Sequence, residues 1–181
     1  ESGTFRPSLS PVSVRALVEE AYQAVLPELS GRALEITVDV ADDVDTIEGD
    51  PGQLDRALIN LLTNAAKFTP ENGRVGLSVR RDEDSLLIEV SDTGVGIAAE
   101  DQPKIFDRFF RSTTATYMAV PGAGLGLSIT KMIVEAHRGR ISVSSKPAEG
   151  TTMTIALPLQ PAAWVEPVLT ADRPTASSAC S

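Results

Sequence analysis

The chain has 181 residues, 42% of them hydrophobic, a formal net charge of −9 and a single cysteine. That is enough apolar material for one sizeable core, while the acidic balance argues against nucleic acid or an anionic membrane surface as a general partner. The lone Cys180 excludes an intramolecular disulfide and any Cys-rich zinc cluster, and no apolar run reaches the roughly 20 residues of a membrane span. A chain that starts at Glu1, without an initiator Met or a signal peptide, reads as a soluble piece of a longer protein.

In chain order, residues 4–9 read as an edge strand before Pro11. Residues 12–29 read as a helix with apolar spacing at Val14, Leu17, Val18, Ala21 and Val25. Residues 34–40 alternate Leu34, Ile36, Val38 and Val40 with polar side chains, the period of a half-buried strand, and 46–48 pair nearby. Asp50 as N-cap, Pro51 at the first helical position and Gln53 as the return arm of a capping box predict a helix running to Phe68. Residues 75–80 and 86–91 read as strands around a charged turn at 81–84, and 97–122 as an irregular segment with a short helix near 103–108. A helix over 125–136 and strands at 140–144 and 151–157 complete an α+β sandwich with strands on one side and helices on the other. The globular part is expected over residues 1–159, with 1–11 as linker and first strand. Residues 160–181, with Pro161, Pro167 and Pro174 among Ala, Ser and Thr, read as a disordered tail.

Four segments carry chemistry. In the helix ending at Phe68, Leu54, Leu58, Leu61, Leu62 and Ala65 form one face, while Gln53, Asn60, Asn64 and Lys67 share the other. Two amides and an ammonium on one stripe suit a hard cation and a phosphate, although a solvated helix face has the same pattern. Asp92-Thr93-Gly94-Val95-Gly96-Ile97 sits at a strand end, where Asp92 can accept from an exocyclic amine or can simply cap a turn. Gly122-Ala123-Gly124-Leu125-Gly126-Leu127 runs into a helix and offers backbone N–H groups to phosphate, without the ending of a Walker loop or the spacing of a dinucleotide fingerprint. Thr151 opens the last strand, as a ligand contact or as a β-former.

Taken together and in order, these segments resemble the catalytic domain of sensor histidine kinases, within the GHKL ATPase group that includes DNA gyrase. Asn60-Leu61-Leu62-Thr63-Asn64-Ala65-Ala66-Lys67-Phe68-Thr69 resembles the N box, and residues 92–97 and 122–127 resemble the two glycine boxes. Ile105-Phe106-Asp107-Arg108-Phe109-Phe110-Arg111 is similar to the F box. The resemblance implies a Bergerat-type two-layer sandwich, a mixed, mostly antiparallel sheet packed on helices, with ATP held between helices and a lid at 97–122. It further implies that Asn64 holds Mg²⁺, that Asn60 supports it and that Lys67 contacts phosphate. Asp92 and Thr151 would read adenine, and Gly94, Gly96, Gly122, Gly124, Leu125, Gly126 and Leu127 would bind nucleotide. Arg108 and Arg111 would act on the transferred phosphoryl group, with Phe106 and Phe109 anchoring the lid. Phe68 stands where Tyr is frequent, Pro121 where Gly is usual, and residues 112–120 hold no basic side chain.

In hydrolytic relatives a Glu stands where this chain has Asn60. An amide does not accept a proton usefully near neutral pH, so transfer to a supplied nucleophile is expected over hydrolysis. Related serine kinases commonly carry His in the region of Lys67 to Thr69. The only histidine, His137, falls at a helix C-terminus and reads as structural or exposed, its partial charge suiting the dipole. The phosphoacceptor is therefore expected on a separate dimerisation domain of the same kinase, with a response regulator downstream. Because dimerisation in the family is mainly the task of those separate helices, the piece is expected to be monomeric, and the need for ATP and a reducing pool gives a cytoplasmic location as the expectation, with room for an inner-membrane anchor in its parent. The alternative is a regulatory nucleotide-binding module or a GHKL ATPase without kinase activity.

Overall fold

The computed structural model describes residues 6–112 and 123–159. Of the strand expected at 4–9, residues 4 and 5 lie outside the described residues and 6–9 carry no regular structure; among the described residues the first strand lies at Ser10–Ser13 (β1). There it pairs antiparallel with Thr46–Gly49 (β3), a two-stranded ribbon in which Pro11 can do without its missing N–H at an edge. Val12 turns into the core. Ser13 caps the helix Val14–Ser30 (α1) by accepting from the Ala16 N–H, so the helix starts two residues later than its apolar spacing suggests.

The main sheet has five strands in the order β2-β4-β5-β7-β6: Glu35–Val40 (β2), Arg74–Asp82 (β4), Ser85–Asp92 (β5), Arg140–Lys146 (β6) and Gly150–Pro158 (β7). Only β2 and β4 run parallel; the other pairs are antiparallel. This is the mixed, mostly antiparallel sheet packed on helices that the sequence suggests. Its inner face carries Val75, Leu77, Val79, Leu86, Ile88, Val90, Met153, Ile155 and Leu157, all buried. The outermost strand β2 is covered less well than its alternation implies. Ile36 and Val40 are half-buried and Val38 is exposed, because a sheet edge has a neighbour on one side only.

Against this face pack α1, Pro51–Phe68 (α2) and Gly126–Ala136 (α3). Leu54, Leu58, Leu61, Leu62 and Ala65 of α2 are all buried, as the wheel predicts. Asp50 is the N-cap, accepting from the Gln53 N–H at 3.1 Å, and backbone N–H groups of Ser8 and Gln53 hold its carboxyl below the ordinary carboxylate range. The capping box, however, is only half formed. The Asp50 N–H donates to His137 Nε2 at 2.9 Å, and the Gln53 side-chain oxygen is buried without a partner among the described residues.

His137 is therefore no exposed dipole partner but a buried junction. Its Nδ1 lies 2.8 Å from the Ile133 carbonyl, which assigns the ring hydrogen to Nδ1 and leaves Nε2 as the acceptor for Asp50. The ring also packs against Gly49, whose absent side chain makes the room. One imidazole thus ties the end of α3 to the start of α2. His137→Ala removes that acceptor and opens a gap beside Gly49, so a loss of about 2–3 kcal/mol is expected in urea denaturation. A loss below about 0.5 kcal/mol, typical of a surface position, is the result that contradicts the junction.

Beyond β5 the chain is irregular, with a 3₁₀ turn at Gln102–Lys104 in place of the short helix expected near 103–108. Ile105 is buried, and Phe106 and Phe110 pack on the core, whereas Phe109 is 72% exposed. The anchors are thus Phe106 and Phe110, not Phe106 and Phe109. Phe109 has a left-handed backbone (φ 64°) with its N–H on the Gly124 carbonyl at 2.9 Å, a turn that sends its ring outward. Gly122, Pro121 and the tail at 160–181 lie outside the described residues.

Candidate functional site

A cleft of about 350 Å³ opens between the C-terminal half of α2, the loop after β5 and the start of α3. Its polar floor comes from strand register. Asp92, the last residue of β5, stands opposite Thr151 near the start of β7, and Thr151 N–H donates to Asp92 Oδ1 at 3.2 Å. The Gly94 N–H donates to the same oxygen at 2.8 Å. Burial lifts the Asp92 carboxyl above the ordinary carboxylate range, against the pull of those two N–H groups. Both bonds fall on Oδ1, so Oδ2 remains for a ligand in the cleft that Asp92 lines.

The polar stripe of α2 separates into three kinds of residue. Asn64 and Lys67 line the cleft, and neither side chain makes a hydrogen bond or ion pair with another described residue. Asn60 also lines it, but its Nδ2 donates to Thr130 Oγ1 at 2.9 Å, and a side chain at Gly126 would run into its carboxamide. Asn60 thus joins α2 to α3, and Gly126 is the residue that permits so close an approach. Gln53 stands about two turns before Asn60 and is no part of the cleft. The C-terminus of α2 is held by Arg32, whose guanidinium donates to the carbonyls of Ala66 and Lys67.

Both glycine segments border the site. Gly94 lies against the Phe68 carbonyl, and the Val95 N–H donates to that same oxygen at 3.2 Å. Gly96 has φ 69° and lies so close to the Lys146 carbonyl that no Cβ would fit. On the other side Gly124, Leu125, Gly126 and Leu127 line the cleft. Leu125, the N-cap of α3, supplies no side-chain cap, so first-turn N–H groups of α3 are left for a ligand, an arrangement suited to an anion.

Of the two lid arginines, Arg111 lines the cleft and Arg108 is exposed outside it. Sequence reasoning missed the apolar walls, Val90, Ile105, Phe110 and Met153, which carry the same alternation or spacing whether they face a core or a ligand. It also missed Thr130, Arg32 and Ser145, whose hydroxyl accepts from the Ile97 N–H at 2.8 Å. No periodicity marks such residues, because each acts across more than thirty positions of chain.

A largely apolar cleft with one half-buried carboxylate at its floor and helix N–H groups at its mouth can hold a flat base carrying an amine at one end and phosphates at the other. The family of histidine kinase-, DNA gyrase B- and HSP90-like ATPases matches residues 49–161. The sensor-like histidine kinase SenX3 of Mycobacterium tuberculosis is 39% identical over 152 residues, 84% of this chain and 37% of that protein. Among solved structures, the mycobacterial sensor histidine kinase MprB is 32% identical with a TM-score of 0.72, the match covering 85% of this chain and 99% of that one. Full-length ShkA is 31% identical with a TM-score of 0.74, covering 86% of this chain and 32% of that one. The chain spans well under half the length of the curated relatives it matches. Sequence, fold and the composition of the cleft agree: the chain belongs to the histidine kinase-, DNA gyrase B- and HSP90-like ATPases, as an ATP-binding catalytic domain homologous to those of sensor histidine kinases.

Proposed function

We propose that this domain binds Mg-ATP in the cleft and transfers its γ-phosphoryl group to a histidine on a dimerisation domain of the same kinase, from which a response regulator is served. The observation that carries the reading is the pairing of Asp92, a half-buried carboxylate with one oxygen left for a ligand, with Asn64 and Lys67, two cleft side chains that the fold itself does not use. ShkA, one of the similar solved structures, is a complex with AMPPNP.

In this reading Asp92 Oδ2 accepts from the adenine amino group, and Val90, Ile105, Phe110 and Met153 exclude water around the ring. Uncapped N–H groups at the start of α3, with Lys67 and Arg111, face the phosphates, whose negative charge they stabilise during transfer. The donor set fits Mg²⁺, a hard cation that commonly takes one or two protein oxygens and completes its shell with phosphate and water. Asn64 Oδ1 would hold it, and a bound Mg²⁺ would draw charge from the β- and γ-phosphates. Arg108 lies outside the cleft and is assigned no contact.

Hydrolysis has less support than transfer. Asn60, where a general base would stand, is an amide already bonded to Thr130, and neither its nitrogen nor its oxygen takes a proton from water near neutral pH. Calorimetric titration with ATP and Mg²⁺ is expected to give a dissociation constant within about 1 μM to 1 mM, the range usual for enzymes and their substrates. Mixing the domain with a histidine-bearing dimerisation domain is then expected to yield an acid-labile, base-stable phosphate. No heat at millimolar ATP rules out the nucleotide reading. Binding without that phosphate leaves a regulatory nucleotide module.

A further inference from the structure

Ser145 lies on β6 and does not line the cleft, yet its hydroxyl meets three groups around the floor. It accepts from the Ile97 N–H at 2.8 Å, donates to the Gly150 carbonyl at 2.8 Å and lies 2.9 Å from the Thr151 hydroxyl. A serine hydroxyl has one hydrogen and two lone pairs. With the hydrogen on Gly150 and one lone pair taken by Ile97, the remaining lone pair can only receive the hydrogen of Thr151. The Thr151 oxygen is thereby left with lone pairs alone, next to Asp92, to which its own N–H is bonded. The polar floor of the cleft consists of acceptors.

The frame around this hydroxyl is held independently of it. Gln102 Nε2 donates to the carbonyls of Ile97 at 3.0 Å and Ser145 at 2.9 Å, closing the loop after β5 onto β6. The register of β5 with β7 holds Thr151 against Asp92. Removing the Ser145 hydroxyl therefore changes which way a hydrogen points before it changes where the backbone lies.

We propose that Ser145 is a positioning residue for base specificity: by receiving the Thr151 hydrogen it keeps Thr151 and Asp92 as paired acceptors, which selects a purine with an exocyclic amino group over one with an oxo group there. The proposal rests on the nucleotide reading of the cleft. Without that hydroxyl, the Thr151 hydrogen is free to turn into the cleft and donate to an oxo group, weakening the discrimination.

The test compares ATP with inosine triphosphate, which differs in carrying an oxo group and a ring N–H in place of the amine, by calorimetry on wild type, Ser145→Ala and Ser145→Thr. Wild type is expected to prefer ATP, and Ser145→Ala to shrink that preference about fivefold, the worth of one neutral hydrogen bond. Ser145→Thr, which keeps the hydroxyl, is expected to retain it. A merely structural role weakens both nucleotides alike, so an unchanged preference in Ser145→Ala overturns the proposal alone. Wild type that binds neither nucleotide overturns the reading of the cleft and the proposal with it. Should Ser145→Ala fail to fold, Ser145→Cys, with a weak acceptor in similar volume, is expected to shrink the preference in the same direction.

Discussion

Asp92→Asn is expected to abolish useful ATP binding while making the empty domain more stable. The asparagine oxygen can still accept from the Gly94 and Thr151 N–H groups that now meet Oδ1, so the loop and strand register survive. The second oxygen becomes an NH₂, a donor facing the donor amine of adenine. Losing a charge-assisted bond costs ~2–3 kcal/mol, roughly 100-fold in affinity, before any repulsion is added.

The stability change has the opposite sign because burial raises the Asp92 carboxyl above its ordinary value. A group that holds its proton more tightly folded than unfolded lowers stability as pH rises through the interval between the ordinary and raised values, and the full cost persists above it. The amide does not carry that cost. A gain in stability near neutral pH is expected, fading as the pH falls to the ordinary carboxylate value and below. Calorimetry and thermal denaturation of the same two proteins decide it. Asp92→Asn that binds ATP like wild type removes Asp92 from base recognition; Asn that is less stable at pH 7 contradicts the burial argument.

The second large effect is Asn64→Ala, expected to slow phosphoryl transfer to a supplied dimerisation domain by roughly 10²–10³-fold, as loss of one stabilising contact at developing charge does elsewhere. Affinity for ATP is expected to lose its dependence on Mg²⁺. Stability should move by no more than about 0.5 kcal/mol, because the side chain has no partner among the described residues. Asn60→Ala, one turn earlier, reverses the pattern in denaturation. It leaves the buried Thr130 hydroxyl without its Asn60 donor and opens the contact with α3, so it costs stability. Single-turnover phosphorylation and urea melts on both variants separate a metal ligand from a helix tie. Equal stability losses in the two would show that Asn64 is part of the fold and not held for a ligand.

Much of this protein was legible in its sequence because the relevant physics is local. Period-3.6 spacing named buried residues of α1 and α2, and Asp50-Pro51 marked a helix start by capping chemistry confined to one turn. The ordered motifs at Asn60, Asp92, Ile105 and Gly122 pointed to the family, since spacing along a chain records which groups one fold can bring together. Tertiary structure decided what those groups do once they meet. A helical wheel shows that Asn60, Asn64 and Lys67 share a face, but only the approach of α3 shows that Asn60 is bonded to Thr130 while Asn64 and Lys67 stay open to the cleft. His137 became a junction because β3 and α2 arrive beside it from 87 residues away, and Phe109 gave up its place as anchor to Phe110 because a left-handed turn rotates it outward. Period and propensity fix the direction in which a side chain leaves its own element; which donor or acceptor waits there depends on the packing of elements distant in sequence.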